Sequence, residues 1–282
     1  MKKESHIEIC YLVDFRKTHE AEIPPCRRIY FGHETCEKLL PQFDEIEDLL
    51  EICEKRNLEL SFVTPFLTDA GIEKVMRFLE RLQSAKRHFE IVISDWGLLN
   101  LLTSNRVGTP VAGRFLIGQH TDFRLKRLSD ERTEDKILSM NGSYYRLMHR
   151  KISPELSDHI SACTLLKNRT SAYFCMLEID RFELSNTLVP IKLSGDENFH
   201  FSLHTPYVPL SVFKTCPEGF ELGKSRKSCN FRNCRRNREK WTNPGSGQEI
   251  LCIDNALWYC NPEYESQLQD PRIDRVVFDI SF

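Results

Sequence analysis

Three cysteines lie close together in a polar stretch near the C-terminal end of this chain. Cys216, Cys229 and Cys234 have the spacing C-x12-C-x4-C. Thiolates are soft ligands that suit zinc or an iron–sulfur cluster, and four of them complete either kind of site. The spacing does not separate the two metals, although it lacks the tight C-x2-C pair of zinc ribbons. The alternative is three surface cysteines in a flexible loop, but clustered exposed thiols are rarely idle.

The segment around these cysteines has an unusual composition. From Leu210 to Gly247 large aliphatic residues are rare, while cysteine, lysine, arginine and glycine are frequent. Such a segment buries little apolar area, so a bound metal is a plausible source of its order. Basic residues from Lys214 to Lys240 would offset the negative charge of a thiolate-ligated cluster. Alternatively, the Lys224–Lys240 loop contacts RNA phosphates, with Phe231 and Trp241 as stacking groups.

A fourth thiolate must come from elsewhere in the chain, and Cys36 is the best candidate. It follows Arg28–Gly32, which we take as the first strand, and residues after parallel strands line the functional face of a barrel or open sheet. The alternative for Cys36 is a packing residue at the start of a helix. Cys26, Cys252 and Cys260 are weaker candidates, the last two because they lie in apolar or aromatic surroundings.

Strand and helix patterns alternate through the first half of the chain. Strands are predicted at Arg28–Gly32, Glu59–Val63, Phe89–Ile93 and Pro110–Gly113. Helices are predicted at Asp44–Arg56, after a cap at Thr68 and Asp69, and at Asp95–Leu102. This alternation implies a parallel sheet with right-handed crossovers. The fold class predicted is α/β, a (β/α) barrel-like domain with a cysteine-rich C-terminal loop, and an incomplete or distorted barrel is left open.

The second half is predicted in less detail. Helices are expected over Ser129–Leu138 and Ser153–Leu166, and a strand over Ala172–Ile179 with Cys175 in the core. Further strands are expected at Val189–Leu193, Phe199–Leu203, Ile250–Ile253 and Arg275–Ile280. We treat residues 1–282 as one barrel-like domain, in which 210–247 is a cysteine-rich metal-binding loop.

Composition limits the classes of function. Hydrophobic residues make up 40% and charged residues 28%, which predicts a well-packed soluble domain, and the net charge of −2 disfavours general polyanion binding. No apolar run reaches the roughly 18 to 20 residues that span a bilayer, and the charged start does not resemble a signal peptide. We therefore expect a cytoplasmic protein, in which the eleven cysteines do not form disulfides.

Several segments together resemble a known family. They are Tyr30–Cys36, Val63–Pro65 leading into the Asp69 helix, Ser94–Gly97, and the loop of Cys216, Cys229 and Cys234. In these segments the chain resembles the collagenase-like peptidase family U-thirty-two, and within it the UbiV type. The resemblance covers most of the chain and is poorest in the middle third.

The resemblance implies a barrel-like fold and a [4Fe–4S] cluster on four cysteines. The matching positions are Cys36, Cys216, Cys229 and Cys234, with one residue more between the last two than the family pattern has. UbiV-like proteins pair with a homologous sister protein, UbiU, and support oxygen-independent hydroxylation in ubiquinone synthesis. Other relatives support hydroxylation of tRNA or ribosomal RNA, and some are described as peptidases. The alternative cofactor is zinc.

A few other residues are candidates for a functional role. Asp95 ends a strand, where catalytic carboxylates often lie, but a helix cap is an equal alternative. His33 and Glu34 neighbour Cys36 and could tune a cluster through hydrogen bonds. His200 and His204 fall on one face of a strand and are more often structural. A peptidase lacks support, since the chain has neither an H-E-x-x-H nor a G-x-S-x-G motif.

Overall fold

The structure is a computed structural model of the chain. It describes residues 7–14, 22–85, 88–105, 107–123, 136–140, 143–147, 153, 155, 168–193, 197–213, 239–243 and 246–281. No helix in these ranges is long and apolar enough to cross a membrane.

The centre of the fold is a closed barrel of eight parallel strands. In chain order the strands of the described residues are β1 Glu8–Val13, β2 Arg28–Gly32, β3 Glu59–Val63, β4 Phe89–Ile93, β5 Thr109–Ala112, β6 Lys136–Met140, β7 Ser143–Leu147, β8 Arg181–Ser185, β9 His200–Thr205, β10 Tyr207–Val212, β11 Glu239–Thr242, β12 Glu249–Ile253, β13 Ala256–Cys260 and β14 Ile273–Asp279. The barrel runs in the order β1-β14-β9-β8-β5-β4-β3-β2. The shortest strand pairing in the barrel is between β5 and β8, which pair only at Ala112 and Phe182. The predicted barrel-like α/β fold is confirmed.

Helices cover the outside of the barrel. Among the described residues they are α1 Phe43–Arg56, α2 Asp69–Ser84 and α3 Trp96–Asn105 between the early strands, and α4 Asn168–Met176 before β8. The helix α2 begins at Thr68, whose hydroxyl accepts the backbone N–H of Gly71, and this satisfies one of the free donors at the helix start. Every strand and helix predicted between Arg28 and Gly113 is confirmed to within a few residues.

The two faces of the barrel wall carry different side chains, because successive residues of a strand point to opposite sides. Outward-facing residues such as Phe31, Phe62 and Ile91 pack with the helices into the largest core cluster. A second, smaller apolar cluster is formed by Cys10, Leu12, Tyr30, Val63, Val92, Val111 and Val277. Polar and charged residues of the same inward-facing set complete the interior, and they are described with the site below.

A second sheet is inserted between the last two barrel strands. It is antiparallel, with the order β10-β13-β12-β11, and we call it the small sheet. The segment 210–247 begins within β10 and contains β11, so the structure describes both of its ends but not residues 214–238. A hairpin of β6 and β7 forms a third, two-stranded sheet.

The strand predicted at Ala172–Ile179 is wrong. Residues Asn168–Met176 form α4, in which Phe174 is buried while Cys175 is exposed rather than packed in the core. A helix on the outside of a barrel buries one side only, so a run with apolar and aromatic residues does not require a strand. The barrel strand in this region is β8, Arg181–Ser185. It contains charged residues and has no continuous apolar run, so its sequence did not predict a buried strand.

Three other expectations about the elements change. The helix predicted at Ser129–Leu138 is wrong from Lys136 onward, because these residues begin β6, which pairs with β7. In the sequence, the Asn141-Gly142 pair between the two strands is a strong signal for a hairpin. Val189–Leu193 is not a strand, and most of Ser153–Leu166 lies outside the described residues. Arg28–Gly32 is the second barrel strand, because β1 precedes it.

Gly32 ends β2 and directs the chain toward Cys36. Its φ is +121°, and a Cβ atom added there would collide with the carbonyl oxygen of Val63. We expect Gly32→Ala to lower the free energy of unfolding by about 1–3 kcal/mol, since the backbone must leave a conformation that alanine disfavours. Urea denaturation measures the change, and an unchanged midpoint would contradict this account of the turn.

Candidate functional site

The loop after β2 is tied to the turn between β12 and β13 of the small sheet. The side-chain Nδ2 of Asn255 donates to the backbone carbonyl of Thr35 at 2.8 Å and to that of Phe213 at 2.9 Å. The backbone N–H of Phe213 also donates to the carbonyl of Asn255. One buried amide therefore joins the residue before Cys36 to the last described residue before the cysteine loop. We call this contact the sheet–barrel joint.

His33 reinforces the sheet–barrel joint. Its Nδ1 accepts the backbone N–H groups of Thr35 and Cys36 at 3.2 and 3.1 Å, and its Nε2 lies 3.1 Å from Asp254 Oδ2. Because Nδ1 accepts, the neutral ring carries its proton on Nε2 and donates it to Asp254. The imidazole thereby fixes the backbone at Cys36 and links it to the small sheet.

The structure describes only one of the four predicted ligands. Cys36 is half-buried and precedes a short 3-10 turn at Glu37–Leu39, so it also lies at a helix start. Cys216, Cys229 and Cys234 lie outside the described residues. Within the described ranges, no group of three or more histidine, cysteine, aspartate or glutamate residues is arranged to hold a metal ion. Cys26, Cys252 and Cys260 are each half-buried.

A buried ion pair closes the barrel end beneath the small sheet. The Arg114 guanidinium donates to both carboxylate oxygens of Glu34 and to the carbonyl of Tyr207, and it lies over the ring of Trp258. Burial alone would raise the pKa of Glu34, but the charge and hydrogen bonds of Arg114 hold that pKa below its ordinary value. Glu34 therefore stays ionised and connects the loop after β2 to the loop after β5.

A hydrogen-bonded row runs along the inside of the barrel. His204 Nε2 lies 2.6 Å from Glu183 Oε2, and the Tyr30 hydroxyl donates to Glu183 Oε1 at 3.0 Å. Arg275 in turn donates to the Tyr30 oxygen at 2.8 Å. His204 and Glu183 are completely buried, as is Tyr30, whose pKa is raised by burial and by the Glu183 charge. The row has the form of a histidine oriented by a carboxylate, which suits proton transfer.

Charged residues extend this row toward the amino-terminal end of the barrel. Arg275 pairs with Glu90 and Glu8, and Arg28 pairs with Glu8 and Glu59. Burial alone would raise the pKa of Glu90, but the hydrogen bond and charge of Arg275 hold it below its ordinary value of 4.5. This half of the barrel interior is thus ionic rather than filled with branched apolar residues.

Two further candidates take structural positions. Asp95 accepts the backbone N–H of Leu98 at 3.0 Å, and its other oxygen lies 3.4 Å from the N–H of Leu67, so it caps α3. His200 is half-exposed and pairs with Asp274, whereas His204, on the same strand, is buried. The sequence did not single out Glu183, Tyr30 and Arg275 as functional candidates. Polar and charged residues inside a strand pattern were not expected to face a barrel interior.

Asp279, at the end of β14, provides a test of the electrostatics at this end of the barrel. Burial raises the pKa of its carboxyl above the ordinary 3.8, and the Glu34 charge adds to the effect. A raised folded-state pKa means that the protonated form favours folding, and this contribution is lost as pH rises through that pKa. We therefore expect Asp279→Asn to increase the free energy of unfolding at neutral pH, with a gain that shrinks toward pH 3.8 and below.

Asp270→Asn is the matched control for this prediction. The hydrogen bond from Arg272 lowers the pKa of Asp270, so its contribution to stability is present above the ordinary pKa and lost as pH falls. This variant should lose stability at neutral pH, the opposite sign. Urea denaturation of both variants across the pH range measures the difference, and parallel curves for Asp279→Asn and the wild type would refute it.

The fold and the buried polar row define a parallel α/β barrel that carries titratable side chains in its interior and a second sheet across one end. No protein-family model matches the chain, and no curated protein matches it. A solved structure titled "The Structure of the U32 Peptidase Mk0906" is similar, with 13% sequence identity and a TM-score of 0.44. That alignment covers 100% of this chain and 96% of the other.

Proposed function

We propose that this chain is a U-thirty-two-type, UbiV-like iron–sulfur protein. In this proposal it holds a [4Fe–4S] cluster on Cys36, Cys216, Cys229 and Cys234. The cluster serves an oxygen-independent hydroxylation, in which the chain works with a homologous UbiU-like sister protein. The observation that supports the proposal most directly is the pair of hydrogen bonds that Asn255 makes at the sheet–barrel joint.

These two hydrogen bonds bring the segments with the first two ligands together. Thr35 immediately precedes Cys36, and Phe213 is three residues before Cys216. Three residues of extended chain span at most about 11 Å, so Cys216 is within reach of Cys36 without any rearrangement of the barrel. A thiolate from the barrel and a thiolate from the late loop are what a cluster shared between distant segments requires.

The other end of the late loop re-enters the small sheet on its opposite edge strand, but at the same end of the sheet. Glu239, five residues after Cys234, pairs with Cys252 at the start of β11. Cys252 is two residues before Asp254, which contacts His33 in the sheet–barrel joint. The segment with all three late cysteines therefore leaves and re-enters the described structure at the end of the small sheet that contacts the loop of Cys36. The thiol-rich, aliphatic-poor character of this segment fits a metal-ordered loop.

His33 and Glu34 are the groups that would surround a cluster at this position. His33 holds the backbone N–H of Cys36, and such hydrogen bonds near a ligand orient it and tune the metal. When bound, a [4Fe–4S] cluster supplies one-electron transfer or a site for substrate activation. The hydroxylation role and the sister partner rest on the resemblance of the sequence segments.

A zinc-stabilised RNA-binding or RNA-modifying protein is the second candidate. Trp241 and its neighbour Lys240 are both exposed on β11, so this strand carries a stacking group and a cation on its two faces. One zinc per chain without iron or sulfide would favour this candidate. A peptidase, the activity in the name of the similar solved structure, would require peptide cleavage that a single substitution abolishes.

Iron and acid-labile sulfide content test the proposed cluster. The wild-type chain, purified without oxygen, is expected to be brown and to contain about four irons and four sulfides. Cys229→Ala should lose most of both, because a missing thiolate leaves the cluster incompletely ligated. Cys175→Ala is the matched control, since Cys175 is an exposed cysteine on α4. A colourless wild-type sample after anaerobic reconstitution would overturn the proposal.

A further inference from the structure

Buried polar atoms without hydrogen-bond partners collect at the carboxyl ends of the barrel strands. Among the described residues they are Ser94 Oγ after β4, Asn186 Oδ1 after β8, His204 Nδ1 near the end of β9, and Asp279 Oδ2 at the end of β14. Buried polar atoms nearly always have a partner, and each exception calls for an explanation. The carboxyl ends of parallel strands are also where barrels bind their ligands. We call these four residues the barrel-mouth site.

The hydrogen-bonded row below this site sets the character of His204. Glu183 accepts from Tyr30 with one oxygen, and its other oxygen lies 2.6 Å from His204 Nε2. Because a carboxylate only accepts, the single proton of the neutral ring lies on Nε2, and this leaves Nδ1 as a hydrogen-bond acceptor. The residue is fully buried and cannot reorient freely, since the Tyr30 ring packs edge-on against it at 5.7 Å.

The cation nearest the barrel-mouth site is already paired. The Arg114 guanidinium is engaged by Glu34 and by the carbonyl of Tyr207. Burial raises the pKa of the Asp279 carboxyl. The guanidinium therefore already has its own carboxylate and is not available to attract an anion to His204.

We propose that the barrel-mouth site binds an uncharged group that donates an O–H or N–H to Nδ1 of His204. An anion does not match the site, because Nδ1 of the neutral His204 ring is an acceptor and the nearby Arg114 guanidinium is already engaged by Glu34. A carboxylate–histidine pair with an available ring nitrogen is the arrangement of a general base, so the bound donor is the group whose proton His204 is placed to accept. The inference does not depend on the cluster at the sheet–barrel joint.

Nitrogen NMR of the chain labelled with ¹⁵N-histidine, as purified, tests the site. The probes are formamide and methanol, which are neutral donors small enough to reach a covered nitrogen, and acetate and inorganic phosphate as anions. We expect the resonance of His204 Nδ1 to be that of an acceptor nitrogen and to shift with the neutral probes alone. A protonated Nδ1, no response to either neutral probe, or an equal response to the anions would overturn the proposal.

Two variants identify the signals and control the measurement. His204→Gln should remove the responding resonance, whereas His200→Gln should leave it, since His200 lies on the same strand but is half-exposed and pairs with Asp274. If His204→Gln does not fold, Glu183→Gln replaces it, because the loss of the carboxylate should displace the His204 ring resonances. A responding resonance that survives both His204→Gln and Glu183→Gln would place the binding elsewhere and refute the site.

Discussion

Replacing Asn255 by alanine is expected to remove most of the iron from the anaerobically purified chain. Its Nδ2 is the group that holds the carbonyls of Thr35 and Phe213 together. Without it, the loop that carries Cys36 and the segment that leads to Cys216 are no longer joined by a common donor. Partners that position metal ligands typically affect metal affinity by about 10- to 100-fold, so the loss should be large.

Asn261 provides a matched control at the other end of the same strand. Its Nδ2 also bridges two backbone carbonyls, those of Asn186 and Thr187, and both asparagines are buried. Asn261→Ala therefore removes an equivalent attachment between the small sheet and the barrel, with a similar loss of stability. It should keep its iron, because it does not touch the Cys36 loop.

Iron and sulfide content, together with the visible absorption spectrum, distinguish the two asparagine variants. Thermal melting of the iron-free forms shows whether their losses of stability are comparable. If both variants keep a full complement of iron, the joint does not position the ligands, although the wild type can still hold a cluster. If the wild type has no iron, the cluster itself is refuted.

Arg275→Met is expected to lower the free energy of unfolding by about 3–5 kcal/mol, the usual cost of leaving buried charges without their partner. Arg275 donates to Glu90, Glu8 and the Tyr30 hydroxyl inside the barrel. Burial alone would lower the pKa of this guanidinium, but the neighbouring Tyr30 and Glu90 raise it above its ordinary value. Methionine keeps much of the volume, so the expected loss comes from the interactions rather than from a cavity.

Urea denaturation at neutral pH measures the effect of Arg275→Met. The double variant Arg275→Met with Glu90→Gln should recover part of the loss, because it removes the carboxylate that the first change left unpaired. Arg81→Met is the control for a surface pair, since Arg81 and Glu47 are well exposed and their pairing should have no measurable effect. A loss for Arg275→Met as small as that for Arg81→Met would show that the barrel interior does not depend on its ionic network.

Local sequence signals were sufficient to predict the strands and helices between Arg28 and Gly113. In Phe43–Arg56 and Asp69–Ser84 the buried residues recur at helical spacing, and both helices begin with recognisable caps. The strands β2, β3 and β4 are buried along nearly their whole length, so they appear in the sequence as short apolar runs. Here the local pattern and the tertiary environment agree, and the prediction from sequence was correct.

The same reasoning failed where the barrel interior is polar. Arg181–Ser185 places Glu183 inside the barrel, so this segment lacks the apolar character expected of a buried parallel strand. Glu8–Val13 is apolar after its first residue but was not predicted, and its Glu8 is directed toward Arg275 and Arg28. Partners for these charges come from strands far away in the chain, and no local window contains them. For Ala172–Ile179 the error was the reverse. Its apolar residues predicted a buried strand, but most of them belong to a helix on the outside of the barrel.

The sequence by itself determined the barrel class, the early strand and helix order, and the presence of a thiol-rich segment that needs a metal or another source of order. These follow from periodicity, capping and composition, which act over short stretches of chain. Only the tertiary structure decided that Asn255 joins the Cys36 loop to the start of the cysteine segment, and that Tyr30, Glu183 and His204 form one buried row. Both arrangements depend on residues more than 150 positions apart, which are brought together by closure of the barrel and by the small sheet across its end.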